Sequence, residues 1–171
     1  NAKELLSVIN KYGLNVLLSD HYLFKKNILS LKKKHFSKMK IVVLEKLGLE
    51  KRAHYDSTGA LKDMVQSHFF NTVFKVFDDF SDFKIIKYER KQYDEYSKEL
   101  GKKSDTETFI HLVLESKGKT FEFITGKAFK SRVSYIEIDG NVISLDSDEN
   151  PYVKMFKEFF LYSSLMVYIP P

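Results

Sequence analysis

Apolar positions recur at helical spacing through the first part of the chain and change to alternation after residue 82. Leu5, Leu6, Val8 and Ile9 predict a helix over Lys3 to Tyr12, with Gly13 as its stop. Ser19 or Asp20 is placed to cap a second helix carrying Leu23, Phe24, Ile28, Leu29 and Leu31. A third is expected from about Ser37 to Leu47 on Met39, Val42, Val43 and Leu47. From Ala60 to Phe77 a wide stripe of Leu61, Val65, Phe69, Val73 and Phe77, flanked by Met64, Phe70, Phe74 and Phe80, predicts a helix that must be buried against a sheet.

Alternation then predicts strands. Phe83 to Lys91 is one. Phe109 to Glu115 and Thr120 to Thr125 form a hairpin across Ser116-Lys117-Gly118-Lys119. A second hairpin lies between Arg132 and Asp146, where Asp139-Gly140-Asn141 supplies the turn. Pro151 opens a last helix bearing Tyr152, Met155, Phe156, Phe159 and Phe160. Pairing the first hairpin about its turn puts Ile110, Leu112, Leu114, Phe121 and Phe123 on one face, and Phe109, His111, Val113, Glu122 and Ile124 on the other. Both faces are largely apolar, so helices are expected over both. The fold class expected is α+β, an α/β sandwich: N-terminal helices, then a mixed sheet of about five strands covered by helices.

Composition bounds this picture. In 171 residues with fifteen Phe and ten Tyr there is material for a sizeable core, while seven Gly and three Pro leave little for linkers. Absence of cysteine excludes disulfides, thiolate zinc sites and a Cys nucleophile. The longest apolar run, near Phe159 to Ile169, is too short to span a bilayer, and a soluble, cytoplasmic protein without membrane partners is expected.

Charge divides the chain. Residues 1–54 carry a balance of +8 and the remainder −3, giving the overall +5. A basic helical subdomain over 1–54 and an α/β core over 55–171 are expected. Lys25, Lys26, Lys32, Lys33, Lys34, Lys38 and Lys40 crowd the basic part, the electrostatic footprint of DNA or RNA binding or else a solvated helix face. The scarcity of Arg, only Arg52, Arg90 and Arg132, leans toward the latter.

The helix at 60–77, strand at 83–91, hairpin at 109–127 and closing helix from Pro151 resemble, in their order, the core of the PD-(D/E)XK nuclease superfamily, and the hairpins resemble those of type I restriction subunits and of the nuclease-related domain called NERD. That resemblance implies a metal-dependent site in which Lys127 stands at the catalytic lysine, Thr125 at the second acid, His111 at the first Asp and Asp63 at an acid on the preceding helix. Magnesium would be the cofactor of an active member. Thr is a poor ligand, and strand alternation sets His111 on the opposite face from Thr125 and Lys127. A shifted register using Glu115, Ser116 and Lys117, with Asp94 or Asp105, stays open.

Other chemistry is sparse. The run Asp146 to Asn150 begins like a calcium loop but has Pro151 where Gly is needed, and no Gly-rich phosphate loop is present. The five His stand at wide spacings and make a metal cluster only if folding gathers them. The function expected is a nucleic-acid-associated domain with a divergent or inactive nuclease-like core. The alternatives are a non-catalytic protein-interaction module, phage- or host-directed, meeting its partner through Tyr88, Tyr93, Tyr96, Tyr162 and Tyr168, and an active metal-dependent nuclease.

Overall fold

A computed structural model describes residues 2–14, 16, 20–29, 31, 35–50, 52–77, 80–146 and 150–166. Helix α1 spans Ala2–Tyr12 and a 3-10 turn spans His21–Phe24, followed by the short α2, Lys26–Leu29. Strand β1 is Lys38–Leu44. A 3-10 turn at Ala53–Ser57 leads to a π-helical stretch, Leu61–Phe69, which runs without a break into α3, Phe70–Val76. Then come β2 at Lys84–Lys91, α4 at Tyr96–Leu100, β3 at Phe109–Ser116, β4 at Lys119–Gly126, β5 at Val133–Ile138, β6 at Asn141–Ser144 and α5 at Pro151–Met166.

The strands form one six-stranded mixed sheet in the order β2-β3-β4-β1-β5-β6. Its centre is the parallel pair β1 and β4, in register from Lys38 opposite Thr120 to Leu44 opposite Gly126, and all other pairings are antiparallel. The fold is α+β, with one strand more than the sequence pattern led us to expect. Both hairpins turn where the sequence places them: Lys117 and Gly118 at φ 50° and 71°, Asp139 and Gly140 at 46° and 84°. Two successive positive φ values make the type I′ geometry that matches strand twist. The Asp139 carboxylate also accepts from Ser37 N at 3.0 Å and Lys38 N at 2.8 Å, tying the second hairpin to the start of β1.

Lys38–Leu44 corrects the helix expected at 37–47. Ile41-Val42-Val43 is a β-branched and aliphatic run buried on both sides of a central strand, and its short apolar pattern also fits helical spacing. This strand precedes residue 54, yet it pairs with β4 and β5 from beyond it.

One face of the sheet is closed as the Phe stripe requires. Val65, Phe69, Val73 and Val76 pack with Met39, Ile41, Val43, Ile110, Leu112, Leu114, Phe121, Phe123 and Ile136 in a single core. Phe121 alone meets the rings of Phe36, Phe77 and Phe80 at centroid distances of 5.8, 5.8 and 4.8 Å. On the other face His111, Val113, Glu122, Ile124 and Tyr135 are half-buried, and α5 packs on the His21–Phe24 turn. Among the described residues no helix is long and apolar enough to cross a membrane.

Candidate functional site

β1 and β4 are neighbours and parallel, so their carboxyl ends open side by side, the place where open sheets present their loops to ligands. Glu45 follows β1 and Lys127 follows β4, held together by Glu45 N to Gly126 O at 2.8 Å and Phe129 N to Glu45 O at 3.0 Å. The Lys127 ammonium, 4% exposed, donates to the Glu45 carboxylate, stands 3.9 Å from Asp63 Oδ2 and lies 4.7 Å over the ring of Tyr55. A cleft of about 380 Å³ opens here, walled on its far side by the His21–Phe24 turn and by the π-helical stretch.

That wall holds a polar constellation centred on Asp20. Asp20 caps the turn, accepting from Tyr22 N at 3.0 Å, and is 3% exposed. The same Oδ1 takes the ring Nδ1 of His68 at 2.8 Å, and Oδ2 takes Asn71 Nδ2 at 2.9 Å. Burial alone pushes the Asp20 carboxyl up. The hydrogen bonds from His68, Asn71 and Tyr22 N outweigh it and hold the group below its ordinary value, so Asp20 is an anion. With Nδ1 engaged by a carboxylate, Nε2 is the ring nitrogen His68 has for the cleft it lines.

Aromatic contacts fix the neighbours. Tyr22 stacks on His68 with centroids 4.7 Å apart, and His21 stacks on Tyr152 of α5 at 4.8 Å and 16°. Lys25, 8% exposed, reaches back so that its ammonium lies 4.7 Å over the Tyr22 ring and donates to Leu145 O at 2.7 Å. Burial pushes Lys25 and His21 below their ordinary values, His68 adding to the effect at His21 and Arg132 to that at Lys25. Burial outweighs the opposing pull of Asp146 on Lys25 and of Asp20 on His21. Arg132, whose Nη2 donates to Asp146 at 2.7 Å, completes this corner, and a second hollow of about 410 Å³ continues from it to Tyr152. Around the main cleft five cationic side chains, Lys25, Lys46, Arg52, Lys127 and Arg132, face two carboxylates, Glu45 and Asp63. Such an arrangement suits an anionic ligand that also carries hydroxyl groups.

The residues singled out from the sequence are dispersed by the fold. Lys127 and Asp63 meet at the cleft. Thr125 is 2% exposed and points into the core side. His111 lies on the opposite face, where Lys87 Nζ donates to its Nδ1 at 3.0 Å and its Nε2 donates to Glu122 at 3.0 Å. In the shifted register Lys117 sits in the hairpin turn. Among the described residues no group of three or more His, Asp or Glu side chains is arranged to hold a metal ion.

The described members of the basic cluster point in different directions. Lys25 turns inward. Lys38 and Lys40 converge on Glu122 at 2.9 and 3.9 Å, and Lys26 is on the exposed side of α2. Lys32, Lys33 and Lys34 lie outside the described residues. Of the tyrosines, Tyr88 is exposed, Tyr93 is half-buried and Tyr96 is fully buried. The side chain of Tyr162 and all of Tyr168 lie outside the described residues.

Sequence reasoning missed Asp20 as more than a cap, and missed His21, Tyr22, His68, Glu45 and Arg132 as site residues. The available signal was Asp20-His21-Tyr22 with Lys25 close behind, three polar or titratable types crowded against a strongly apolar stretch.

Residues 24–77 match the family described as glucose-6-phosphate dehydrogenase, C-terminal domain. No curated protein matches the chain by sequence. Among solved structures, a glucose-6-phosphate dehydrogenase in complex with its substrate glucose-6-phosphate is similar over 76% of this chain and 40% of its own, with a TM-score of 0.61 and 19% identity. A putative myo-inositol dehydrogenase from Sinorhizobium meliloti is similar over 99% of this chain and 61% of its own, with a TM-score of 0.75 and 11% identity. A dehydrogenase from Clostridium difficile gives 94% and 55%, a TM-score of 0.62 and 16% identity. The chain therefore spans between two-fifths and three-fifths of these proteins. These findings overturn the resemblance to PD-(D/E)XK nucleases and with it the nucleic-acid-binding and nuclease-like function. Element order alone carried that resemblance, and its acidic positions are filled by a buried Thr125 and by His111 on the wrong face.

Proposed function

We propose that this chain forms the substrate-binding portion of a dehydrogenase acting on a hydroxyl group of a phosphorylated sugar, with His68 as general base and Lys25, His21 and Arg132 as the phosphate-holding corner. The observation that carries the reading is the pairing of buried Asp20 with half-buried His68 at 2.8 Å, opening on a cleft in which cations outnumber carboxylates.

Oxidising an alcohol removes a proton from oxygen and a hydride from carbon. His68 Nε2 takes the proton, while Asp20 on Nδ1 sets the ring orientation and stabilises the imidazolium that forms. Glu45, Asp63 and Lys127 offer acceptors and a donor to the remaining hydroxyls from the strand ends. A hydride acceptor supplies the other half of the chemistry when bound. The sequence holds no glycine-rich turn of the kind that lets backbone approach a pyrophosphate, and no residue of the cleft is assigned to the hydride acceptor. Support for the substrate class comes from the match to a glucose-6-phosphate dehydrogenase domain and from the similar structure that holds glucose-6-phosphate.

Calorimetric titration of the chain with glucose 6-phosphate, inorganic phosphate and glucose tests the reading. Glucose 6-phosphate is expected to bind, phosphate to bind more weakly, and glucose not measurably. Equal binding of glucose and glucose 6-phosphate, or no binding of the latter, overturns it.

A further inference from the structure

Asp20 serves three donors with two oxygens. Oδ1 is shared by Tyr22 N and His68 Nδ1, whereas Oδ2 is held by Asn71 Nδ2 at 2.9 Å. Asn71 follows His68 by three residues, just where the π-helical stretch passes into α3, so the two side chains project from one side of the helix and bracket the carboxylate. Asn71 Nδ2 also donates to Ser67 O at 2.5 Å. A carboxylate and a carbonyl accept and cannot donate, so the amide nitrogen, and not its oxygen, must face Asp20. The His68 backbone is anchored in turn, its carbonyl accepting from Thr72 Oγ1 at 2.9 Å.

We propose that Asn71 is a positioning residue for the proton transfer assigned to His68: by holding Oδ2 it keeps Oδ1 on Nδ1, and so keeps the ring proton on Nδ1 and the lone pair on Nε2. The inference rests on the reading of His68 as the base. Without Asn71 the carboxylate is anchored only by Tyr22 N and turns more freely about its Cβ–Cγ bond, which loosens the Oδ1–Nδ1 contact and weakens its hold on the Nδ1 proton. The tautomer with its proton on Nε2 presents a donor to a substrate hydroxyl and cannot accept from it, so only one of the two is productive. A purely structural Asn71, tying α3 to the His21–Phe24 turn, lowers stability when removed but leaves the tautomer of the folded protein alone.

Ring nitrogen resonances of His68 in the 15N-labelled chain, recorded with the ring neutral, separate the two. The parent is expected to show a single tautomer protonated on Nδ1. In Asn71→Leu the Nε2 resonance is expected to move toward the protonated position as the tautomers mix. Asn71→Ser removes the reach without adding bulk to a half-buried site and is expected to give the same shift, which decides the matter if the Leu variant does not fold. Folded variants that keep the parent's single tautomer overturn the proposal. Failure of the base assignment is distinguishable: glucose 6-phosphate then leaves the His68 Nε2 resonance unmoved while the tautomer result stands.

Discussion

Replacing Asp20 by Asn changes one atom type at the centre of the site and leaves shape intact. The amide keeps one carbonyl oxygen, which accepts from Tyr22 N and His68 Nδ1, and turns its NH₂ toward Asn71 Nδ2, donor against donor. One charge-assisted bond is lost outright, worth about 1.5–3 kcal/mol, and the remaining two weaken toward neutral strength. Relief from burying a carboxylate offsets part of this, leaving a net destabilisation of about 2 kcal/mol. For a chain of this size that corresponds to a fall in Tm of about 4–8 °C. The pH dependence gives the sharper test. Asp20 titrates below its ordinary value of 3.8 in the folded protein, so its contribution is present above that value and is lost as pH falls through the folded one. Thermal melts of parent and Asp20→Asn should therefore differ in full at neutral pH and converge on acidification. A gap that stays constant into strong acid, or a variant as stable as the parent at pH 7, refutes the reasoning.

Lys25→Met removes the buried ammonium while keeping most of its stem. Affinity for glucose 6-phosphate is expected to fall by about tenfold or more, the worth of one charged hydrogen bond, in calorimetry. Its fold is relieved of a buried ammonium but leaves Leu145 O without that donor, so only a small change in Tm is expected. His21 also titrates below its ordinary 6.5, so its protonation opposes folding as pH falls below that value. Binding a phosphate dianion restores the charged form, so uptake of a proton is expected in titrations near neutral pH, read by varying the ionisation enthalpy of the buffer. Phe69→Ala empties a fully buried position whose ring meets Phe123 at 5.8 Å and should cost about 3–5 kcal/mol in denaturant unfolding, with the slope m unchanged.

Much of the fold could be read from the chain because local chemistry and burial agree there. The two hairpins announce themselves through Lys117-Gly118 and Asp139-Gly140, and the Phe stripe from Leu61 to Phe77 is too wide for anything but a helix lying on a sheet. Lys38–Leu44 is legible only once its partners are known, since Met39 and the short run Ile41–Leu44 support either period and the parallel pairing that settles it joins residues 82 apart, Lys38 with Thr120. Charge misled in the same stretch. Lys38 and Lys40 look like a basic cluster in sequence, but strand pairing sets Glu122 beside them. Two residues of the candidate cleft, Lys127 and Asp63, stand out in the sequence, though as parts of a nuclease site, and the fold sets them 3.9 Å apart. The centre of that cleft does not, because Asp20 and His68 are 48 residues apart and no spacing rule links a helix cap to a histidine on a Phe-rich helix.

The most direct measurement follows the His68 ring nitrogens of the labelled chain during titration with glucose 6-phosphate, with inorganic phosphate as the comparison. The account expects the sugar phosphate to shift His68 Nε2, as a substrate hydroxyl donates to it, and phosphate to perturb His21 and Lys25 while leaving Nε2 in place. A His68 Nε2 resonance that ignores saturating glucose 6-phosphate contradicts the assignment of this cleft as a dehydrogenase substrate site.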